Sequence, residues 1–174
     1  MKRREFLKKS LLISGVTVVS GSAIWINVDT NDKALTVSSA LELLKNLNGN
    51  LDVIEGEWDL AQIFNHCAQS IEYSMSEYPE QKSKFFKKTV GRLAFSVFNS
   101  KGQMTHDLNE PIPGAGFLTP GQDYQASISR LRSAFEDFNA FTGNLASHFA
   151  YGDLTKIEYE KAHVMHFYNH LFAH

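Results

Sequence analysis

The sequence predicts an all-α fold, a four-helix bundle with a short extra helix on its N-terminal side. Three observations carry the prediction. Apolar residues recur at helical spacing over four long segments, as amphipathic helices require. No stretch alternates apolar and polar residues in the manner of a half-buried strand. Gly and Pro, at 11 and 4 of 174 residues, leave the four segments largely uninterrupted. A content of 43% apolar and 21% charged residues is that of an ordered globular domain. The length suits one domain with a real core.

The first element stands apart from the bundle. In MKRREFLKKSLLISGVTVVSGSAIW a basic start precedes an uncharged stretch from Ser10 to Val28. A charged n-region followed by a short apolar h-region is an export signal. Arg3-Arg4 followed by Phe6 and Leu7 resembles the twin-arginine signal, with Lys2 where Ser or Thr is usual. Residues 1–23 are therefore expected to be the signal, cleaved after Ala23, with 24–35 a polar linker and 36–174 the bundle domain. A buried amphipathic helix is the competing reading, disfavoured by five Lys or Arg among the first nine residues. The resemblance implies the twin-arginine export machinery as a partner and a periplasmic or exported location. The alternative is an uncleaved segment anchored in a membrane, although a span needs about 20 mostly apolar residues. Beyond residue 9 the chain holds 12 basic and 18 acidic residues, a net of −6. An acidic domain without a basic stripe argues against a nucleic-acid partner. The single cysteine, Cys67, permits no internal disulfide. That suits a domain folded before export. Assembly as a homodimer is left open.

The helices follow in order. SALELLKNL begins a short helix, with Ser39 and Glu42 at capping-box spacing. EWDLAQIFNHCAQSIEYSMSEY reads as a long helix that stops before Pro79, and KSKFFKKTVGRLAFSVFNS as a third with Phe85, Leu93 and Val97 among its apolar positions. KGQMTHDLNEPIPGAGFLTPGQ is a long loop, a class of segment that is often functional. It holds His106, Asp107 and Glu110, which could wall a pocket, although a plain solvated loop is the stronger reading for those three. DYQASISRLRSAFEDFNAFTG is a fourth helix, with Ile128, Leu131, Phe135 and Phe138 at helical spacing and Gly143 as its stop. HFAYGDL leads to the last helix, which opens on a second capping box, Thr155 and Glu158.

That last helix carries the chemical signal. His163, His166, His170 and His174 are four of the seven histidines in the chain. At 100° per residue they fall at about 0°, −60°, −20° and +20°, on one narrow face. His166 and His170, spaced i, i+4, can present two imidazoles to one metal ion. A chance cluster is the competing reading, and His174 lies in the final turn, where helices fray. A third ligand would come from another helix. His66 shares a face with Gln62, Gln69 and Tyr73, opposite the apolar arc of Leu60, Phe64, Ile71 and Met75, so it faces water or a polar cavity. Cys67, one step toward that arc, reads as core.

The segments AQIFNHCAQSIEYSM, KSKFFKKTVGRLAFSVF, PIPGA and HFAYGDLTKIEYEKAHVMHFYNHLFAH resemble the DinB-like (YfiT-like) metal-binding four-helix bundles. Within that group they resemble the branch numbered 1569 among the domains of unknown function. The resemblance covers roughly residues 37–174. It implies a metal site of one histidine on the second helix and an H-x-x-x-H pair on the last, here His66, His166 and His170. His163 and His148 also match recurrent positions of the branch. Three neutral imidazoles with an open fourth position suit zinc best, and nickel or iron also accept them. Relatives in the wider group include transferases that use low-molecular-weight thiols, but an exported domain fits a metal-dependent hydrolase acting on an unknown small molecule better. The rival is a non-enzymatic metal-binding, sensing or interaction module. Glu72, Glu160 and Tyr73 are the candidate bases by position in the sequence.

Overall fold

The computed structural model describes residues 34–47 and 57–172, with the short stretches 18–19 and 22–23. The twin-arginine pair, most of the expected signal and linker, and His174 lie outside the described residues. Strand β1 (Val18–Val19) pairs antiparallel with β2 (Ser22–Ala23), two residues a side. A ribbon that short has no independent stability. Every other regular element among the described residues is helical, in keeping with the all-α prediction.

Helix α1 spans Val37–Asn46 and buries Val37, Ala40 and Leu44. Its cap corrects the expected Ser39 box: the Thr36 side chain accepts from the Ser39 amide, so the helix starts at Val37. Helix α2 spans Leu60–Met75 and begins with a reciprocal box. Asp59 accepts from the Gln62 amide at 2.8 Å and the Gln62 side chain accepts from the Asp59 amide at 3.0 Å. The helix ends short of the expected Tyr78. That ring turns inward instead, with its hydroxyl donating to the Ser70 carbonyl at 3.1 Å.

Helix α3 is continuous through three pieces, Lys84–Phe86, a π-helical turn Lys87–Gly91, and Arg92–Lys101. The wider turn advances the phase of the helix. Of the apolar positions named for this helix, Phe85 is 78% and Leu93 57% exposed and Val97 is partly buried, while their neighbour Phe95 is buried. Gly91 lets the helix lie against the backbone of Ala150, because a Cβ there would stand 1.9 Å from the Ala150 carbonyl oxygen. Gly102, at φ 64°, closes α3 in the left-handed conformation that glycine adopts without strain.

Helix α4 spans Tyr124–Ala140, capped by Asp123, and buries Ile128, Leu131, Phe135 and Phe138 as their spacing predicts. It ends before the expected Gly143. Lys156 Nζ donates to the carbonyls of Asn139 and Phe141, meeting acceptors that the helix end leaves free. Helix α5 spans Lys156–Phe172. Its predicted box is present: Glu158 accepts from the Thr155 amide at 2.8 Å, and Thr155 Oγ1 accepts from the Glu158 amide at 3.2 Å.

The α2–α4 interface is the most extensive, and α5 packs on α2, α1 and α3. Phe64, Leu131, Phe135, Phe138 and Phe167 fill the centre and are essentially inaccessible. Polar contacts fix α2 to the segment leading into α4. The Gln62 side chain donates to the Leu118 carbonyl at 3.0 Å, and Asp59 accepts from the Gly121 amide at 2.7 Å. Asn65 Nδ2 lies 2.8 Å from Ser127 Oγ, and Arg130 Nη1 donates to Asn65 Oδ1 at 3.0 Å. This seam sets the axial position of α2 and hence of His66, the next residue along.

Candidate metal centre

His66 comes from the middle of α2, and His166 and His170 from one face of α5. One nitrogen of each lies within 4.8 Å of the other two. His66 Nε2 is 3.0 Å from His166 Nε2, which is 3.2 Å from His170 Nε2. The ring centres are 4.8, 4.9 and 4.9 Å apart. The three residues that the resemblance singled out therefore converge. His66 and His170 are buried, and His166 is partly exposed.

Burial dictates the state of these rings. Desolvation, reinforced by His106, lowers the His66 pKa to about 3. Desolvation, with His66 and His106, lowers that of His170 to about 2. His166 is held well below its usual value by burial and then by its imidazole neighbours. All three are neutral at pH 7, so each has one nitrogen lone pair to give. Three neutral imidazoles whose Nε2 atoms face one another at these distances suit a divalent cation, which would take lone pairs otherwise turned on each other. His66 Nδ1 and His170 Nδ1 are buried without a hydrogen-bond partner.

Two residues at the cluster were not expected there. His106, read as part of a solvated loop, packs its ring 4.8 Å from that of His166 and 4.9 Å from that of His170. Its pKa is lowered by burial, against the opposing pull of the Asp107 backbone, Glu110 and Asp107. Trp58 lies edge-on to His66 at 4.9 Å and stacks on His170 at 6.1 Å with planes 8° apart. Its place eight residues before His66, just ahead of the α2 cap, was the signal available in the sequence. For His106 the only signal was a histidine in a Gly- and Pro-rich loop.

The other histidines do different work. His163 Nε2 is 3.1 Å from Ser74 Oγ, and Ser74 donates onward to the Ile71 carbonyl. The ring also stacks on Tyr159 and meets Phe138 edge-on. Burial lowers its pKa to about 3. It is a neutral core residue that ties α5 to α2. His148 Nδ1 accepts from the amides of Ala150 and Tyr151, and so shapes the turn that Gly91 packs against. The proposed bases are engaged elsewhere. Glu72 forms a bidentate pair with Arg130, and Glu160 accepts from the Val37 amide at 2.8 Å, at the start of α1. Tyr73 packs on Tyr78.

Residues 28–173 match the family described as "Protein of unknown function (DUF1569)". The chain is a member of the DUF1569 family. No curated protein and no solved structure matches it. In this DUF1569 protein a cavity of about 320 Å³ opens beside the cluster. Its lining includes His66, His106 and His166, the rings of Phe86, Phe149 and Tyr151, and Lys82 and Glu110. Among the described residues, no helix is long and apolar enough to cross a membrane.

Proposed function

We propose that this DUF1569 protein binds one divalent metal ion through His66, His166 and His170, within a DinB-like four-helix bundle exported by the twin-arginine route. The observation that carries the reading is the convergence of three neutral imidazole nitrogens from two helices. Zinc fits the donor set best, and nickel and iron are compatible with it. The pair on α5 sets two donors one helical turn apart, and the α2 seam brings the third to meet them. Trp58 packs its ring against His66 and His170.

The cavity favours an enzyme, a hydrolase acting on a small molecule. Its aromatic wall and polar side chains could hold such a molecule beside His66 and His166. The bound ion would supply Lewis-acid chemistry there. The engagement of Glu72 by Arg130 and of Glu160 by Val37 favours the second reading, a non-enzymatic metal-binding or sensing module. Elemental analysis of protein purified without a His-tag, followed by a panel of ester, amide and phosphoester substrates, separates these readings. Bound metal with turnover that chelation abolishes supports the hydrolase. Bound metal without turnover supports the binding module, and protein that takes up no metal refutes both.

A further inference from the structure

The α3–α4 loop carries one histidine, and the fold does not leave it in solvent. Met104 and Ile112 are both buried, so the loop is pinned to the core on either side of His106. Asn109 adds two links: its amide donates to Asp107 Oδ1, and its side chain accepts from the Glu57 amide, both at 2.9 Å. His106 is thereby held beside α5.

Its ring has a defined polarity. Nδ1 lies 2.7 Å from the Asp107 carbonyl oxygen, a pure acceptor, so Nδ1 carries the proton and donates it. In the neutral ring Nε2 then bears the lone pair. That Nε2 is buried and has no hydrogen-bond partner. A ring nitrogen tied to a backbone carbonyl, with the opposite nitrogen left as a donor, is the usual arrangement of a metal-ligating histidine. The spacing agrees as well. Zinc–imidazole bonds of about 2.0–2.1 Å put the ring centres of a tetrahedral shell about 5 Å apart. His106 stands 4.8 and 4.9 Å from His166 and His170, close to the separations among the three helical rings, and its nitrogen, which lies outside the mutually close set of His66, His166 and His170, would close on the ion as the loop shifts.

We propose that His106 is a fourth imidazole donor, brought to the metal by the loop. The inference rests on the metal-binding reading above and extends it: three donors belong to rigid helices and the fourth to a segment that also lines the cavity. A ligand entering the cavity would displace His106 or add as a fifth donor, an expansion that zinc tolerates.

Cobalt(II) is the probe, because its visible bands report the number and type of donors. Wild-type protein, His106→Ala and His106→Gln are titrated with cobalt, with far-UV circular dichroism as the check on folding. Wild-type protein is expected to give the intense bands of a four-nitrogen tetrahedral site, unchanged by added imidazole. Both variants should bind cobalt at least about 10-fold more weakly. Their bands should be altered, and millimolar imidazole should restore them in His106→Ala. X-ray absorption should count four imidazoles in the wild type and three in the variants. Variants with wild-type affinity, bands and imidazole count overturn this inference alone. Wild-type protein that takes up no cobalt overturns the metal-binding reading and this inference with it.

Discussion

Replacing Gly91 with alanine sets two effects of known size against each other. Gly91 has φ −63° and ψ −48°, ordinary helical values. On helix propensity alone the change would stabilise by about 1 kcal/mol. The new methyl group, however, would lie 1.9 Å from the Ala150 carbonyl oxygen and 3.0 Å from its carbon. Comfortable contact begins near 3.4 Å, so the two backbones must part by roughly 1.5 Å. Both are held: α3 by buried Phe95, and the 148–152 turn by His148 Nδ1 and the reciprocal His148–Gly152 backbone bonds. Overpacking of this kind costs about 1–3 kcal/mol or more, and backbone against backbone belongs at the upper end. The net expectation is a loss of about 2 kcal/mol, or roughly 4–8 °C in Tm for a chain of this size. Gly116→Ala is the internal control, since nothing lies within 4 Å of the point its new methyl group would occupy. It should stay within about 0.5 kcal/mol of wild type. Thermal and urea unfolding followed by circular dichroism measure both. Gly91→Ala at or above wild-type stability would refute the reasoning, because propensity would then outweigh the contact.

Three further outcomes follow from the same physics. Metal-free protein should lose stability as pH falls from about 6.5 toward 3. The unfolded chain takes up protons on its histidines near 6.5, whereas folded His163 and His66 do so only near 3. Stability is therefore full above the unfolded pKa, and each such ring removes up to about 1.4 kcal/mol per pH unit below it. Urea midpoints that stay flat between pH 7.5 and 5 would contradict this. His163→Ala should destabilise by about 2–3 kcal/mol through the cavity it leaves, yet keep the metal. Metal loss in a folded variant would show that His163 belongs to the site. Asp59→Ala removes both the α2 cap and the link to Gly121, and should cost about 1–2 kcal/mol in unfolding experiments. No measurable change would mean that the box contributes nothing.

The helices were legible because their periodicity is strong and local. Ile128, Leu131, Phe135 and Phe138 face the core of α4 as their spacing requires, and Thr155–Glu158 caps α5 as its residues suggest. Elsewhere a local competitor won. At α1 the earlier Thr36 captured the cap from Ser39. At α3 the face carrying Gly91 and Phe95 is the one turned to the 148–152 turn and the core, which leaves Phe85 and Leu93 in solvent. Within the site, His166 and His170 could be paired by angle alone, since one helix fixes both. His66 needed the resemblance, because a helical wheel does not say what a neighbouring helix places opposite. Its neighbour Asn65 sits in a seam formed with residues from far along the chain. His106 was out of reach for the same reason: its position depends on burial of Met104 and Ile112, which is a property of the fold and not of the loop's composition.

The metal content of His66→Ala beside wild type tests the central claim most directly. The variant leaves the i, i+4 pair on α5 intact and removes only the donor from α2. Untagged protein, dialysed against buffer free of chelator after loading with zinc, would be assayed for metal per chain, with circular dichroism to establish that the variant is folded. One ion per chain in wild type and well under one in folded His66→Ala is the predicted result. Equal zinc in both proteins would contradict the account and confine the donors to α5 and the α3–α4 loop.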